Sequence, residues 1–150
     1  MSEQIKNTFL GDLGEQLLIW HLRSKYKINV AIVKGKGIDL LCKDTEGKLF
    51  SEKNQNIGIS VKTRCRKKEK TSDTIIVEWQ STKNACSQWE AVPYVSYVRV
   101  IPESGTITVF LLKLSEAEKW GKRFNVRKAE ENNTKLFEMK FEPYDRYTDW

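Results

Sequence analysis

The chain has 150 residues, with 26 Lys+Arg against 20 Asp+Glu, three Cys and a single His. A chain of this length buries roughly 69% of its extended surface on folding, enough for one self-sufficient core, and one histidine excludes a two-histidine zinc site. The formal charge of +6 points towards a polyanionic partner.

Cys42, Cys65 and Cys86 contain no C-x-x-C pair and cannot all be disulfide-bonded within one chain, which predicts a reducing compartment and no zinc site. The opening residues Met1 to Lys6 carry no basic-then-apolar leader pattern. No apolar run approaches the ~18 residues of a membrane span. The expectation is a soluble, cytoplasmic protein with no membrane partner. Without repeats or a Gly/Ser/Pro-rich linker, residues 1–150 read as one domain, with a core over about 7–112 and an extension over 113–150.

Phe9, Leu10, Leu13, Leu17 and Leu18 fall at helical spacing, predicting an amphipathic helix over residues 7–25. His21 lies within that run, where a packed or surface histidine is the ordinary outcome. Residues 28–33 read as a strand, and residues 38–42, after Gly35 and Gly37, as a second. A turn at residues 44–47 follows, with Leu49-Phe50 opening a return strand and residues 57–63 forming a third strand in which Ile57, Ile59 and Val61 alternate. A basic loop is expected over 64–73, then an extended segment over 74–79 and a helix over 82–90 capped by Ser81 or Thr82. Two strands, 94–101 and 106–112, are joined at Pro102-Glu103-Ser104-Gly105. Ser115-Glu116-Ala117-Glu118 has capping-box spacing and should open a helix running to Phe124. Residues 136–141 read as an edge strand, and the tail 142–150, with Tyr144, Tyr147 and Trp150, as a docked segment. The order α-β-β-β-α-β-β-α implies an α/β or α+β domain with helices on the faces of a mixed sheet.

Three polar features interrupt apolar elements: Glu15 beside Gly14, Asp39 between Ile38 and Leu40, and Lys62 at the end of an alternating strand. Ser60 and Lys62, two apart on a strand, share a face. If that strand pairs with the one bearing Asp39, all three groups converge. A carboxylate and an ammonium there form either a functional site or a surface ion pair.

The series Gly14-Glu15, Gly37-Ile38-Asp39-Leu40-Leu41 and Ile59-Ser60-Val61-Lys62-Thr63-Arg64 resembles the PD-(D/E)xK nuclease superfamily, in particular its small Holliday-junction resolvase-like members. The resemblance spans residues 7–112 and implies a restriction-endonuclease-like fold: a central mixed sheet of four to six strands with helices on both faces. It implies metal-dependent hydrolysis of phosphodiester bonds in DNA, including branched or structured DNA. Asp39 and Glu15 would hold Mg²⁺ or Mn²⁺ with the backbone carbonyl of Val61, and Lys62 would position or activate water. Oxygen ligation suits these ions rather than zinc. Members of this fold commonly pair to treat two strands, so a homodimer is a further expectation.

The acid of the (D/E)-x-K element is Ser60 here. A carboxylate ~4 Å from a unit charge contributes about 4 kcal/mol gross at an effective dielectric of ~20, which a hydroxyl dipole does not match. Glu78, Glu69 and Glu52, in that order, are candidate replacements. The alternative is a nuclease fold that binds nucleic acid without cutting. The run 62–70 holds six cations and one anion, so Arg64, Arg66, Lys67, Lys68 and Lys70 are candidate phosphate contacts. Trp79, Trp89 and Trp120 read as core side chains more readily than as stacking platforms for bases. Arg123, Arg127 and Lys128, followed by Glu130 and Glu131, read as a mixed solvated face.

Overall fold

The computed structural model describes residues 3–67 and 74–141, with side chains from residue 9 onward. Helix α1 (Glu3–Tyr26) buries Leu18, Ile19, His21 and Leu22. Lys27 ends it in a left-handed conformation (φ 58°), and the Ile28 N–H returns to the Leu22 carbonyl at 3.1 Å. Strands β1 (Asn29–Ile32), β2 (Leu40–Lys43) and β3 (Asn56–Cys65) pair antiparallel in sequence. Strand β4 (Thr74–Ile76) and helix α2 (Trp79–Gln88) then carry the chain across to β5 (Ala91–Ile101), which lies parallel to β3 over ten register pairs. A crossover of this kind is what a parallel pair demands. Strand β6 (Thr106–Lys113) returns antiparallel to β5, and β8 (Lys135–Lys140) closes the far edge.

The result is a six-stranded sheet in the order β1-β2-β3-β5-β6-β8. This is the expected fold class, a central mixed sheet flanked by helices. The order of helix, three-stranded unit, helix and two strands matches α1, β1–β3, α2 and β5–β6, with β4 interposed. One face carries α1, whose Leu18 and Leu22 pack with Ile57, Ile59, Val98 and Val109. The other face carries Val95, Tyr97, Phe110 and Leu112 beneath Phe124, Val126 and Ala129, with Ile38, Ala85 and Cys86 as a smaller cluster. His21 is 8% exposed and stacks on Phe137 at 4.0 Å between centroids, a packed histidine.

Several local expectations are overturned. Strand β3 runs on through Arg64 and Cys65, so the basic loop begins at Arg66. Leu49 and Phe50 form no strand; their N–H groups, with that of Lys48, donate to the buried Asp44 carboxylate at 2.7–3.0 Å. Helix α2 starts three residues early, at Trp79, and Thr82 does not cap it, because its hydroxyl donates to the Gly37 carbonyl at 2.8 Å. The extended segment expected over 74–79 shortens to β4, which pairs with β7 (Arg123–Asn125) in a separate two-stranded sheet. Ser115 caps nothing either. Helix α3 (Leu114–Glu118) begins straight after β6 and is short, and the chain re-forms as β7 and then α4 (Val126–Glu131), capped by Asn125. The tail 142–150, together with Lys68, Glu69 and Lys70, lies outside the described residues.

Candidate functional site

Asp39 enters at the N-terminal end of β2, directly after the backbone turns at Gly37 (φ 102°). A Cβ at Gly37 would lie 2.2 Å from the Ser81 carbonyl oxygen, so only glycine lets this loop rest on α2. The Asp39 N–H donates to the Ile59 carbonyl at 2.9 Å, and Asp39 Oδ2 accepts from the Val61 N–H at 2.7 Å. The register Leu40↔Ile59, continued by one residue, sets Asp39 across from Ser60.

On β3, Ile57, Ile59 and Val61 pack on the α1 side, whereas a Cβ at Gly58 would meet Cys86 of α2. Alternation therefore puts Ser60 and Lys62 on the α2 side, as expected from their spacing. Ser60 is 4% exposed beside Val95; Lys62 is half-buried beside Tyr97. Glu15 comes from the opposite layer. Gly14 makes this possible, because a Cβ there would lie 2.0 Å from Thr63 Oγ1. Helix α1 touches β3 at that point and brings Glu15 to the end of the sheet where Asp39 stands.

The charges report the same convergence. Burial raises the Glu15 carboxyl above its ordinary pKa, the negative charges of Asp39 and Asp12 raise it further, and Lys34 opposes them. Burial also raises Asp39, against the pull of the Val61 N–H and the Lys62 charge. A buried carboxyl whose ionisation is disfavoured by a neighbouring carboxylate invites a cation. Lys62 acts on Asp39 through space, and the two are not within ion-pair distance among the described residues. Sequence reasoning missed Lys34. Its signal was the run Lys34-Gly35-Lys36-Gly37 immediately ahead of Asp39.

The remaining candidates divide. Arg64 and Arg66 are half-buried at the end of β3, where Arg64 Nη1 donates to the Thr63 carbonyl and the Arg66 N–H to Val100. Lys67 is exposed. Glu52 is spent elsewhere: its carboxylate accepts from Tyr94 Oη at 2.6 Å, from Ser51 Oγ, and pairs with Lys113 at 2.8 Å. Those partners hold its pKa down against burial, and Tyr94 belongs to the α1-side core. It is not the compensating acid. Glu78 is exposed at the start of α2 and accepts from Ser81 Oγ at 3.1 Å. Among the described residues no group of three or more His, Cys, Asp or Glu side chains is placed to hold a metal ion.

Trp79 and Trp120 pack against the second core cluster, and Trp79 Nε1 donates to the Lys122 carbonyl. Trp89 is 46% exposed, so the core reading fails for it. Lys128 pairs with Glu131 at 3.9 Å, as on a mixed solvated face. No helix among the described residues is long and apolar enough to cross a membrane.

No protein-family model and no curated protein matches the chain. Among solved structures, the chain is similar to Hjc, a Holliday junction resolvase from the archaeal hyperthermophile Archaeoglobus fulgidus, with 14% identity, a TM-score of 0.46, and coverage of 91% of this chain and 88% of that one.

Proposed function

We propose that the chain is a divalent-metal-dependent endonuclease that hydrolyses phosphodiester bonds in DNA, with branched or structured DNA as the preferred class. One observation carries the reading: at one end of the sheet Asp39, at the start of β2, lies within electrostatic reach both of Glu15 on α1 and of Lys62 on β3. The motif series read from the sequence supports it.

The donor set fits Mg²⁺ or Mn²⁺. Such ions are commonly held by one or two carboxylates, with water and substrate phosphate completing the shell, so Asp39 and Glu15 suffice for the chemistry. Asp39, Glu15 and the Val61 carbonyl would hold the ion, which when bound would neutralise charge on the phosphate and acidify the attacking water. The chain's own groups do the rest. The Val61 N–H fixes one Asp39 oxygen and so orients the other. The Lys62 ammonium stabilises negative charge growing on the phosphate oxygens. Ser60 offers a neutral hydrogen bond to water where relatives of the motif place a charge. Arg64, Arg66, Lys67, Lys68 and Lys70 would hold the backbone without choosing sequence, and a homodimer would present two such sites.

Buried, neutral Ser60 favours a second reading, a nuclease-fold module that binds DNA without cutting it. Isothermal calorimetry with Mn²⁺ separates the two: the enzyme binds the ion in wild type and loses it in Asp39→Asn. Heat that is absent from wild type, or equal in both, removes the enzyme reading.

A further inference from the structure

The loop of residues 33–37 leaves β1 at Ile32 and enters β2 after Asp39, so it stands at the same end of the sheet as the C-terminal end of β3. Its two lysines, Lys34 and Lys36, are exposed. Both ends of the loop are tied down: the Val33 N–H donates to the Asp39 carbonyl at 3.0 Å, and Thr82 Oγ1 donates to the Gly37 carbonyl. Between these ties Lys34 adopts φ 39°, a left-handed backbone that a side chain with a Cβ adopts at a cost of ~1–2 kcal/mol.

Lys34, from this loop, lies within electrostatic reach of the Glu15 carboxyl, and Lys62, from β3, within reach of Asp39. The acidic pair thus has an ammonium group near each carboxyl, on separate elements. β1 and β3 are two strand spacings apart, ~10 Å, a span that neighbouring phosphates of one nucleic-acid strand can bridge. A backbone crossing the acidic pair would meet the loop on one side and Arg64, Arg66 and Lys67 on the other.

We propose that residues 33–37 are a second phosphate-holding wall, with Lys34 gripping the nucleic-acid backbone beside Glu15 and Asp39 and Lys36 holding a neighbouring phosphate. The proposal rests on the reading of this end of the sheet as a nucleic-acid site, and it adds residues to which the motif series gives no role. A lysine that merely offsets the carboxylates would alter stability and leave binding untouched.

The test is fluorescence anisotropy of a labelled duplex and a four-way junction in EDTA, titrated with KCl, for wild type and Lys34→Ala/Lys36→Ala. The control is Lys43→Ala/Lys53→Ala, which removes two exposed lysines outside this end of the sheet. Losing two phosphate contacts should lower the slope of log K against log salt by ~1.8 and weaken binding roughly 10- to 100-fold at 0.1 M salt. The control should keep the wild-type slope. An unchanged slope in the loop variant, an equal loss in the control, or no binding by wild type overturns the proposal. Protein that binds in this way yet cuts nothing with Mg²⁺ or Mn²⁺ removes the nuclease reading and supports the wall. Protein that cuts, with the loop variant's slope unchanged, does the reverse.

Discussion

Gly14→Ala tests how Glu15 reaches the site. The added methyl would lie 2.0 Å from Thr63 Oγ1, 3.2 Å from its Cβ and 3.4 Å from its Cγ2. The Thr63 Cβ, which no side-chain rotation moves, already lies at 3.2 Å, so α1 and β3 must part by a few tenths of an ångström or more. Overpacking of this sort costs ~1–3 kcal/mol, against ~1 kcal/mol gained by replacing glycine inside a helix. A 2.0 Å approach takes the upper half of that cost, ~2–3 kcal/mol, so the net expectation is a loss of ~1–2 kcal/mol, or roughly 2–8 °C in Tm for a domain of this size. Urea unfolding followed by far-ultraviolet circular dichroism measures it. Gly14→Ala/Thr63→Ala should recover most of the loss, giving a favourable coupling energy of ~1 kcal/mol or more. Because the same contact places Glu15 near Asp39, Gly14→Ala should also weaken Mn²⁺ binding. A variant as stable as wild type, or more so, would mean that helix propensity alone governs the position and that the helix–strand contact is not tight.

Three further outcomes follow from the charges and burial. Asp44→Ala should destabilise the protein by about 3 kcal/mol, since it strips acceptors from the Lys48, Leu49 and Phe50 N–H groups; a Tm change under 2 °C would contradict this. Despite burial, those hydrogen bonds hold the Asp44 pKa down, so its contribution is present above ~4 and lost as pH falls through the lowered value. Asp39 behaves oppositely. With its folded-state pKa raised, the metal-free protein binds more protons folded than unfolded, and stability falls as pH rises from ~4 through the raised value. Asp39→Asn should therefore gain on wild type between pH 4 and 8 in chelator, and a constant difference across that range would refute the burial argument. Native protein should expose one reactive thiol, Cys65, because Cys42 and Cys86 are buried with pKa values pushed up to about 12 and about 11; three fast-reacting thiols before denaturation would contradict the packing.

Legibility in the sequence followed the strength of the local pattern. Strand β3 was readable because Ile57, Ile59 and Val61 alternate, and that alternation also put Ser60 and Lys62 on one face. Asp39 stood out as a charge inside an apolar run. Where tertiary contacts compete for a side chain, local signals misled. Thr82 looks like a cap, yet its hydroxyl is committed to Gly37, 45 residues away. Ser115 sits in a capping box, but Leu114 is buried and draws the chain into α3 directly from β6. Strand β7 is three residues long and exists only by pairing with β4, so nothing nearby announces it. Glu52 was a candidate acid because sequence distance cannot reveal that Tyr94 and Lys113 claim it.

The most direct measurement is cleavage of linear, flapped and four-way DNA in Mg²⁺ or Mn²⁺ by wild type, Asp39→Asn and Lys62→Ala, with folding checked by circular dichroism. Wild type should cut, and each substitution should slow cutting at least 100-fold, about 2.7 kcal/mol of transition-state stabilisation, while the fold persists. Either variant cutting at the wild-type rate would contradict the assignment of Asp39 and Lys62 to the chemistry.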